Sequence, residues 1–237
     1  MPKLPKLPVS TSSFERIRED GYLYVDKTQH IFRMIDEGIY YFMSRPRRFG
    51  KSLTVSTLRC LFQGRKELFD RLWIKEYTDW QWKTYPVVII DFNELTHDNP
   101  EHLKESLAYN LFNTASYYEI SLTDSLLAQE FTSLILELNR KTGMRVVILV
   151  DEYDKPIIDH LGKGENALDI AKKNREILKR FFGVLKGAHV SPALQFVFIT
   201  GVSKFSRVSI FSELNNLKDI TMNETYADML GYTQEEL

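Results

Sequence analysis

Residues 39–53 read Ile-Tyr-Tyr-Phe-Met-Ser-Arg-Pro-Arg-Arg-Phe-Gly-Lys-Ser-Leu. The stretch opens with five apolar or aromatic residues, which have the length and composition of a buried strand. A polar and basic run follows, and apolar side chains then recur at roughly helical spacing at Leu53, Leu58 and Leu61. The stretch therefore predicts a strand, a loop and a helix in direct succession.

The loop of this unit carries residue types that bind phosphate. Gly50-Lys51-Ser52 matches the end of the Walker A pattern G-x-x-x-x-G-K-[ST]. There the glycine lets backbone N–H groups approach phosphate oxygens, the lysine reaches the β- and γ-phosphates, and the hydroxyl reaches Mg²⁺. Arg45 stands where the pattern has its first glycine. The tripeptide by itself therefore also fits an ordinary basic turn.

The distribution of charge favours an anion site at this loop. The 237 residues hold 31 Lys and Arg against 32 Asp and Glu, and this balance excludes a general polycation. Between Glu37 and Glu67, however, there is no acidic residue. The same stretch holds seven cations, namely Arg45, Arg47, Arg48, Lys51, Arg59, Arg65 and Lys66. The near-zero net charge thus conceals a local basic segment.

A second motif lies 100 residues further along the chain. The apolar run at residues 146–150 leads directly into Asp151-Glu152, the form of a Walker B motif. In such motifs the first carboxylate holds Mg²⁺ and the second orients and deprotonates the attacking water. A polar loop at a strand end has the same composition. The two motifs together are a stronger indication, because open α/β sheets bind ligands at the carboxyl ends of their strands.

The rest of the chain alternates between strand and helix patterns. Further strands are predicted at 86–92, 145–150, 195–200 and, more weakly, 218–222, with helices at 100–118, 123–141 and 168–187. This alternation predicts an α/β fold with a mostly parallel five-stranded sheet. Thr200 and Ser203 end the fourth strand and are candidate γ-phosphate sensors, and Arg207 is a candidate arginine finger. A hydroxyl-rich loop and a surface arginine are the alternatives.

Five motifs together resemble the AAA-ATPase-like family, found largely in bacteria. They are Tyr24-Val-Asp-Lys-Thr28, Ser44-Arg-Pro-Arg-Arg-Phe-Gly-Lys-Ser-Leu53, Val150-Asp-Glu-Tyr-Asp154, Ile199-Thr-Gly-Val-Ser203 and Gly231-Tyr-Thr233. The resemblance implies a P-loop NTPase core of the ASCE type, a three-layer sandwich with strand order 5-1-4-3-2. It also implies that the segment from Tyr24 to Thr28 packs near the nucleotide, and that Arg is usual at the position of Arg45.

From the motifs and the resemblance we expect ATP and Mg²⁺ as cofactors. Glu152 is the expected general base, with Lys51 and Thr200 as further catalytic residues, and Ser52 and Asp151 are expected to hold Mg²⁺. The nucleotide is expected to contact Arg45, Pro46, Arg47, Arg48, Phe49, Gly50, Lys51, Ser52 and Leu53.

The expected function is Mg²⁺-dependent ATP binding and hydrolysis that powers or switches an attached effector. A nucleotide-binding switch with negligible turnover is the first alternative, and a nucleic-acid-binding module that uses the seven cations is the second. The identity of the nucleoside triphosphate, the effector and the formation of a homo-oligomer stay open, and nucleic acid is not excluded as a partner.

The resemblance also implies a domain organisation. Residues 1–230 are expected to form one P-loop domain with a helical N-terminal segment, 1–38, packed on it. Residues 231–237 are expected to start a shortened lid, because longer family members carry a helical lid and then a domain resembling PD-(D/E)XK nucleases. A single cysteine and the lack of an apolar run of membrane-span length predict a soluble, cytoplasmic protein without a membrane partner.

Overall fold

A computed structural model describes residues 6–9, 11–124, 126–203, 210–211, 214 and 216–236. Its centre is a five-stranded sheet of β1 (Tyr40–Ser44), β2 (Val87–Asp91), β3 (Val146–Asp151), β4 (Leu194–Gly201) and β5 (Lys218–Asp219). The strand order is β2-β3-β4-β1-β5 and every neighbouring pair is parallel. Read from the other edge, this is the expected order 5-1-4-3-2, and the P-loop NTPase-like α/β fold is confirmed.

Helices connect the strands and cover both faces of the sheet. The α-helices are α1 (Phe14–Glu19), α2 (Thr28–Glu37), α3 (Lys51–Phe62), α4 (Trp73–Tyr77), α5 (Pro100–Tyr117), α6 (Leu127–Thr142), α7 (Lys155–Ile158) and α8 (Glu165–Gly183). Short 3₁₀ turns lie at Lys66–Phe69, Val184–Lys186, Ser191–Ala193, Glu224–Tyr226 and Gln234–Glu236. Among these described helices, none has the length and apolar character to cross a membrane.

The interior strand β3 shows why the fold has three layers, with helices on both faces of one sheet. All six of its residues are buried, as its continuous apolar sequence predicts for a strand covered on both faces. Ile148 and Val150 face one apolar cluster, built with α5, α6 and α8, whereas Val147 and Leu149 face a second cluster, built with α1 to α4. Because strand side chains alternate between faces, one apolar strand supplies both cores.

Polar side chains hold the starts of the N-terminal helices. Helix α1 is capped by Ser13, whose hydroxyl accepts the N–H of Arg16 at 3.3 Å. Before α2, the Asp26 carboxylate accepts the N–H of Thr28 at 2.8 Å and that of Trp73 at 2.6 Å. Asp26 therefore joins the start of α2 to the start of α4, a long-range contact that local sequence spacing does not reveal.

Strand register brings the candidate motifs to one edge of the sheet. Strand β4 lies between β1 and β3, with Ser44 opposite Gly201 and Val150 opposite Ile199. The loop after β1, the acidic pair at the end of β3 and the end of β4 therefore meet side by side.

Candidate functional site

The basic loop (residues 45–50) ends in a backbone conformation that favours glycine. Gly50 has φ +94°, in the left-handed region, and is the N-terminal cap of α3. An added Cβ at Gly50 would meet no described atom within 4 Å, so the backbone angle rather than a lack of space explains the glycine. Helix α3 then begins at Lys51, and its first N–H groups lie at the loop, where they can bind an anion.

Lys51 occupies the centre of the site. Its ammonium donates hydrogen bonds to the carbonyl oxygens of Arg45 at 3.0 Å and Pro46 at 3.2 Å, and lies 3.1 Å from Glu152 Oε1. The Lys51 side chain is only 3% exposed, so this ion pair is shielded from water. The lysine thus folds the basic loop around itself and links it to the acidic motif.

Glu152 reaches this lysine through an unusual backbone turn. Its φ is +54°, a conformation that costs a non-glycine residue about 1–3 kcal/mol and is concentrated at functional sites. The Glu152 N–H donates to the Thr200 hydroxyl at 3.4 Å, which ties the turn to β4. Burial raises the pKa of the Glu152 carboxyl, although the hydrogen bond and charge of Lys51 oppose this. A raised pKa is typical of a general base.

Asp151, Asp154 and Thr200 form a buried carboxylate corner beside Glu152. The Thr200 hydroxyl, fully buried, donates to Asp151 Oδ1. Asp154 accepts the N–H of Ser203 at 2.6 Å and that of Val202 at 3.2 Å, and burial raises its pKa. The sequence assigned no role to Asp154, although its place two residues after Glu152 was a usable signal. Arg207, the candidate arginine finger, lies outside the described residues.

Ser52 and Asp151, the two expected Mg²⁺ ligands, line the same polar cavity. Together with Asp91 they line a space of about 430 Å³. Burial chiefly raises the pKa of Asp91, and the charge of Asp151 adds to this. The described ranges hold no group of three His, Cys, Asp or Glu arranged for a metal. One hydroxyl and one carboxylate nevertheless suit Mg²⁺, which takes few protein ligands and completes its shell with phosphate and water.

The structure brings most of the predicted nucleotide-binding residues to a second cavity, of about 600 Å³. Its lining includes Arg47, Arg48, Gly50, Lys51, Ser52, Leu53 and Glu152. Arg45 is not among the described lining residues, because its guanidinium donates to the carbonyl oxygen of Thr221, next to β5. Pro46 contributes its carbonyl oxygen to Lys51, and Phe49, 45% exposed, faces a different cavity.

That third cavity, of about 110 Å³, lies where residues 24–25 and 231–232 meet the basic loop. Tyr24, Val25 and Leu53 line it with Phe49 and Tyr232, so its walls are largely apolar. The segment from Tyr24 to Thr28 thus lies beside the basic loop. Gly231 donates its N–H to the Phe49 carbonyl at 3.1 Å, and Lys27 pairs with Glu236 at 2.6 Å. Sequence motifs alone did not indicate that these terminal segments meet.

One family of known proteins matches most of the chain. The family described as Predicted AAA-ATPase matches residues 8–211. The chain belongs to the AAA-ATPase-like family. A relative from Azotobacter chroococcum mcd 1, named "Uncharacterized protein in vnfD 5'region", is 41% identical over 235 residues, which cover 98% of this chain and 44% of that protein. The chain therefore spans less than half the length of this relative. No solved structure matches the chain.

Proposed function

We propose that this AAA-ATPase-like chain binds ATP with Mg²⁺ and hydrolyses it. One observation carries the proposal: a lysine at the start of α3 and a glutamate after β3 lie 3.1 Å apart, although their motifs are far apart in the chain. The family description, Predicted AAA-ATPase, supports nucleotide binding. In this proposal turnover powers or switches an attached effector.

Binding of the triphosphate uses the positive charge of the basic loop. Arg47 and Arg48 are exposed and form no ion pair with any described residue, so their charge is available to an anion. Lys51 exchanges the carbonyl oxygens of Arg45 and Pro46 for phosphate oxygens. The base of the nucleotide enters the apolar cavity beside Phe49, where an aromatic and aliphatic lining suits a planar ring.

Ser52 and Asp151 are the residues that would hold Mg²⁺. The Thr200 hydroxyl bonds one oxygen of the Asp151 carboxylate and thereby fixes its orientation. The other oxygen has no hydrogen bond from the described part of the chain and is left for a ligand. A bound Mg²⁺ supplies neutralisation of phosphate charge.

The proposed reaction is attack of water on the γ-phosphorus. The bond between the water oxygen and phosphorus forms while the bond from phosphorus to the β–γ bridging oxygen breaks, which yields ADP and phosphate. Glu152 accepts the proton of the water, and its raised pKa matches that task. Lys51 stabilises the phosphate charge once it has left Glu152.

A nucleotide switch with negligible turnover is the second candidate, and the same ion pair favours it. As long as Lys51 holds Glu152 at 3.1 Å, the carboxylate is engaged and does not act on water. A ligand that fails to displace the lysine would then be bound without being cleaved. The two candidates therefore differ in whether nucleotide binding separates Lys51 from Glu152.

Three proteins separate these candidates: the wild type, Glu152→Gln and Lys51→Ala. We expect Lys51→Ala to lose nucleotide binding by calorimetry, and Glu152→Gln to keep binding while phosphate release falls by about 10²–10⁴. Glu105→Gln, an exposed acid on α5 that lines none of the three cavities of the site, is the matched control and should retain turnover. Binding by the wild type without phosphate release would favour the switch. No binding of ATP by the wild type with Mg²⁺ would disprove both.

A further inference from the structure

An open groove lies on the outer surface of the three-helix layer, away from the candidate nucleotide site. The first half of α5, the start of α6 and the middle of α8 enclose a space of about 530 Å³. Leu126, Leu127, Ile177 and Phe181 give this groove an apolar floor. Leu126 is 59% exposed, so its apolar surface is open to a ligand.

Cations surround this floor. Lys104, Lys172 and Arg180 are exposed and form no ion pair with any residue in the described ranges. Lys173 already pairs with Asp169 at 2.8 Å, and of the two lining acids Glu176 pairs with Arg175 at 2.9 Å. The unpaired charge of the groove is therefore mainly positive.

The start of α6 adds to this potential. Leu126 precedes the helix without a side-chain hydrogen bond, so no described side chain caps the first turn of this 16-residue helix, whose Leu127 and Ala128 line the groove. The positive end of the helix dipole thus lies at the same place as the unpaired cations.

The shape of the groove suits an elongated ligand. Its α8 wall runs from Lys172 to Phe181, which is about 14 Å at 1.5 Å per residue. That length matches about two and a half turns of a second helix lying alongside. The apolar floor then contacts the apolar face of an amphipathic helix, and the charged rim contacts its polar face.

We propose that this groove docks an acidic amphipathic helix of a partner protein. Leucine or phenylalanine side chains of the partner lie on Leu126 and Ile177, and its carboxylates pair with Lys104, Lys172 and Arg180. The charge of the rim selects an acidic helix over a basic one, since a basic helix would bring like charges together. None of the lining residues belongs to the candidate nucleotide site, so this proposal stands apart from ATP binding.

The probe is a labelled synthetic peptide that forms a helix with leucines along one face and glutamates beside them. A matched peptide carries lysines in place of the glutamates. Fluorescence anisotropy measures binding of both to the wild type, to Lys172→Glu/Arg180→Glu and to Leu126→Ser. Lys66→Glu/Lys83→Glu is the control, because these two exposed lysines belong to the layer on the other face of the sheet. Circular dichroism checks that every variant is folded.

The acidic peptide should bind the wild type and the control equally, and raised salt should weaken it. The charge reversal should weaken binding by about tenfold or more, and Leu126→Ser should weaken it less. Equal binding of both peptides, no binding of the acidic peptide, or equal loss in the control would overturn the proposal. So would a dimer of the wild type that only the charge reversal dissociates, since a second copy would then occupy the groove.

Discussion

The two sides of the candidate site are built differently. In the carboxylate corner, Asp151, Asp154 and Thr200 are buried and bonded to neighbouring strands and loops. In the basic loop, the side chains from Pro46 to Phe49 are exposed, and hydrogen bonds from Lys51 and Gly231 to its carbonyl oxygens hold its backbone. The corner is therefore organised by the protein itself, whereas the loop leaves its charge for a ligand.

This difference predicts two kinds of mutational effect. Substitutions in the carboxylate corner should lower the free energy of unfolding, because they leave buried polar groups without partners. Substitutions in the basic loop should lower ligand affinity with little change in stability. Lys51 and Glu152 connect the two sides, so we expect them to affect activity most directly.

The largest stability loss is expected for Asp154→Ala. The substitution leaves the partly buried N–H groups of Val202 and Ser203 without an acceptor, at about 2–4 kcal/mol in total. Denaturant unfolding measures it, with the exposed Glu94→Ala as a control expected within about 0.5 kcal/mol. If both variants had the same free energy of unfolding, the carboxylate corner would not contribute to the stability of the fold.

Gly201→Ala should follow, at about 1–3 kcal/mol. A Cβ there would lie 2.6 Å from Tyr153 Cδ1 and 2.7 Å from Asp154 Oδ1, so the end of β4 or the Tyr153 ring must shift. Thermal unfolding should show a lower Tm. A wild-type Tm would indicate that the corner is less tightly packed than the structure shows.

The pH dependence of turnover tests the carboxylate that joins the two sides. A base works only when deprotonated, so kcat/KM should rise with pH through the raised pKa of Glu152, by about tenfold per unit below it. The acidic limb should lie above the ordinary Glu value of 4.5 and should vanish in Glu152→Gln. If the acidic limb persisted in Glu152→Gln, a group other than Glu152 would be responsible for it.

Gly50→Ala separates ligand affinity from stability in the basic loop. No described atom blocks the new methyl group, and φ +94° costs alanine about 1 kcal/mol. Gly21→Ala is a matched control, with φ +67° and equally free space in the described structure but outside the site. Calorimetry should show weaker ATP binding only for Gly50→Ala. Equal affinity in both variants would count against the role of the loop.

The smallest effect is expected for Arg47→Ala. Because Arg47 is exposed, stability should change by less than about 0.5 kcal/mol, while the affinity for ATP should fall about threefold to tenfold. The loss should shrink as salt is added. Lys83→Ala, another exposed cation, should leave affinity unchanged. An equal loss in both variants would point to overall charge rather than to this loop.

Local features of the fold were predictable because they depend on neighbouring residues. The strand before the basic loop and the helix after it follow from apolar runs and spacing. The strand order came from the resemblance, and the structure confirms it. The start of α2 shows the limit: Asp26 bonds the N–H of Thr28 nearby in the chain and also that of Trp73, which no local pattern encodes.

The candidate site was predictable in its residue types and less so in its contacts. Lys51, Asp151 and Glu152 were recognisable as motifs, and their meeting followed from parallel strands. The guanidinium of Arg45 was expected at the nucleotide, but it bonds the Thr221 carbonyl because β5 lies next to β1. The pocket between Tyr24 and Tyr232 was missed as well, since it forms from two distant segments.

The sequence by itself therefore determined the strand–loop–helix unit, the acidic pair and the alternation of strands and helices, because hydrophobic periodicity and backbone preferences act over a few residues. Only the tertiary structure decided that Lys51 holds Glu152, that Thr200 orients Asp151 and that Asp154 ties two loops together. Such contacts arise when packing of both sheet faces fixes strand order and register, and burial then raises the pKa of Glu152 and of Asp154.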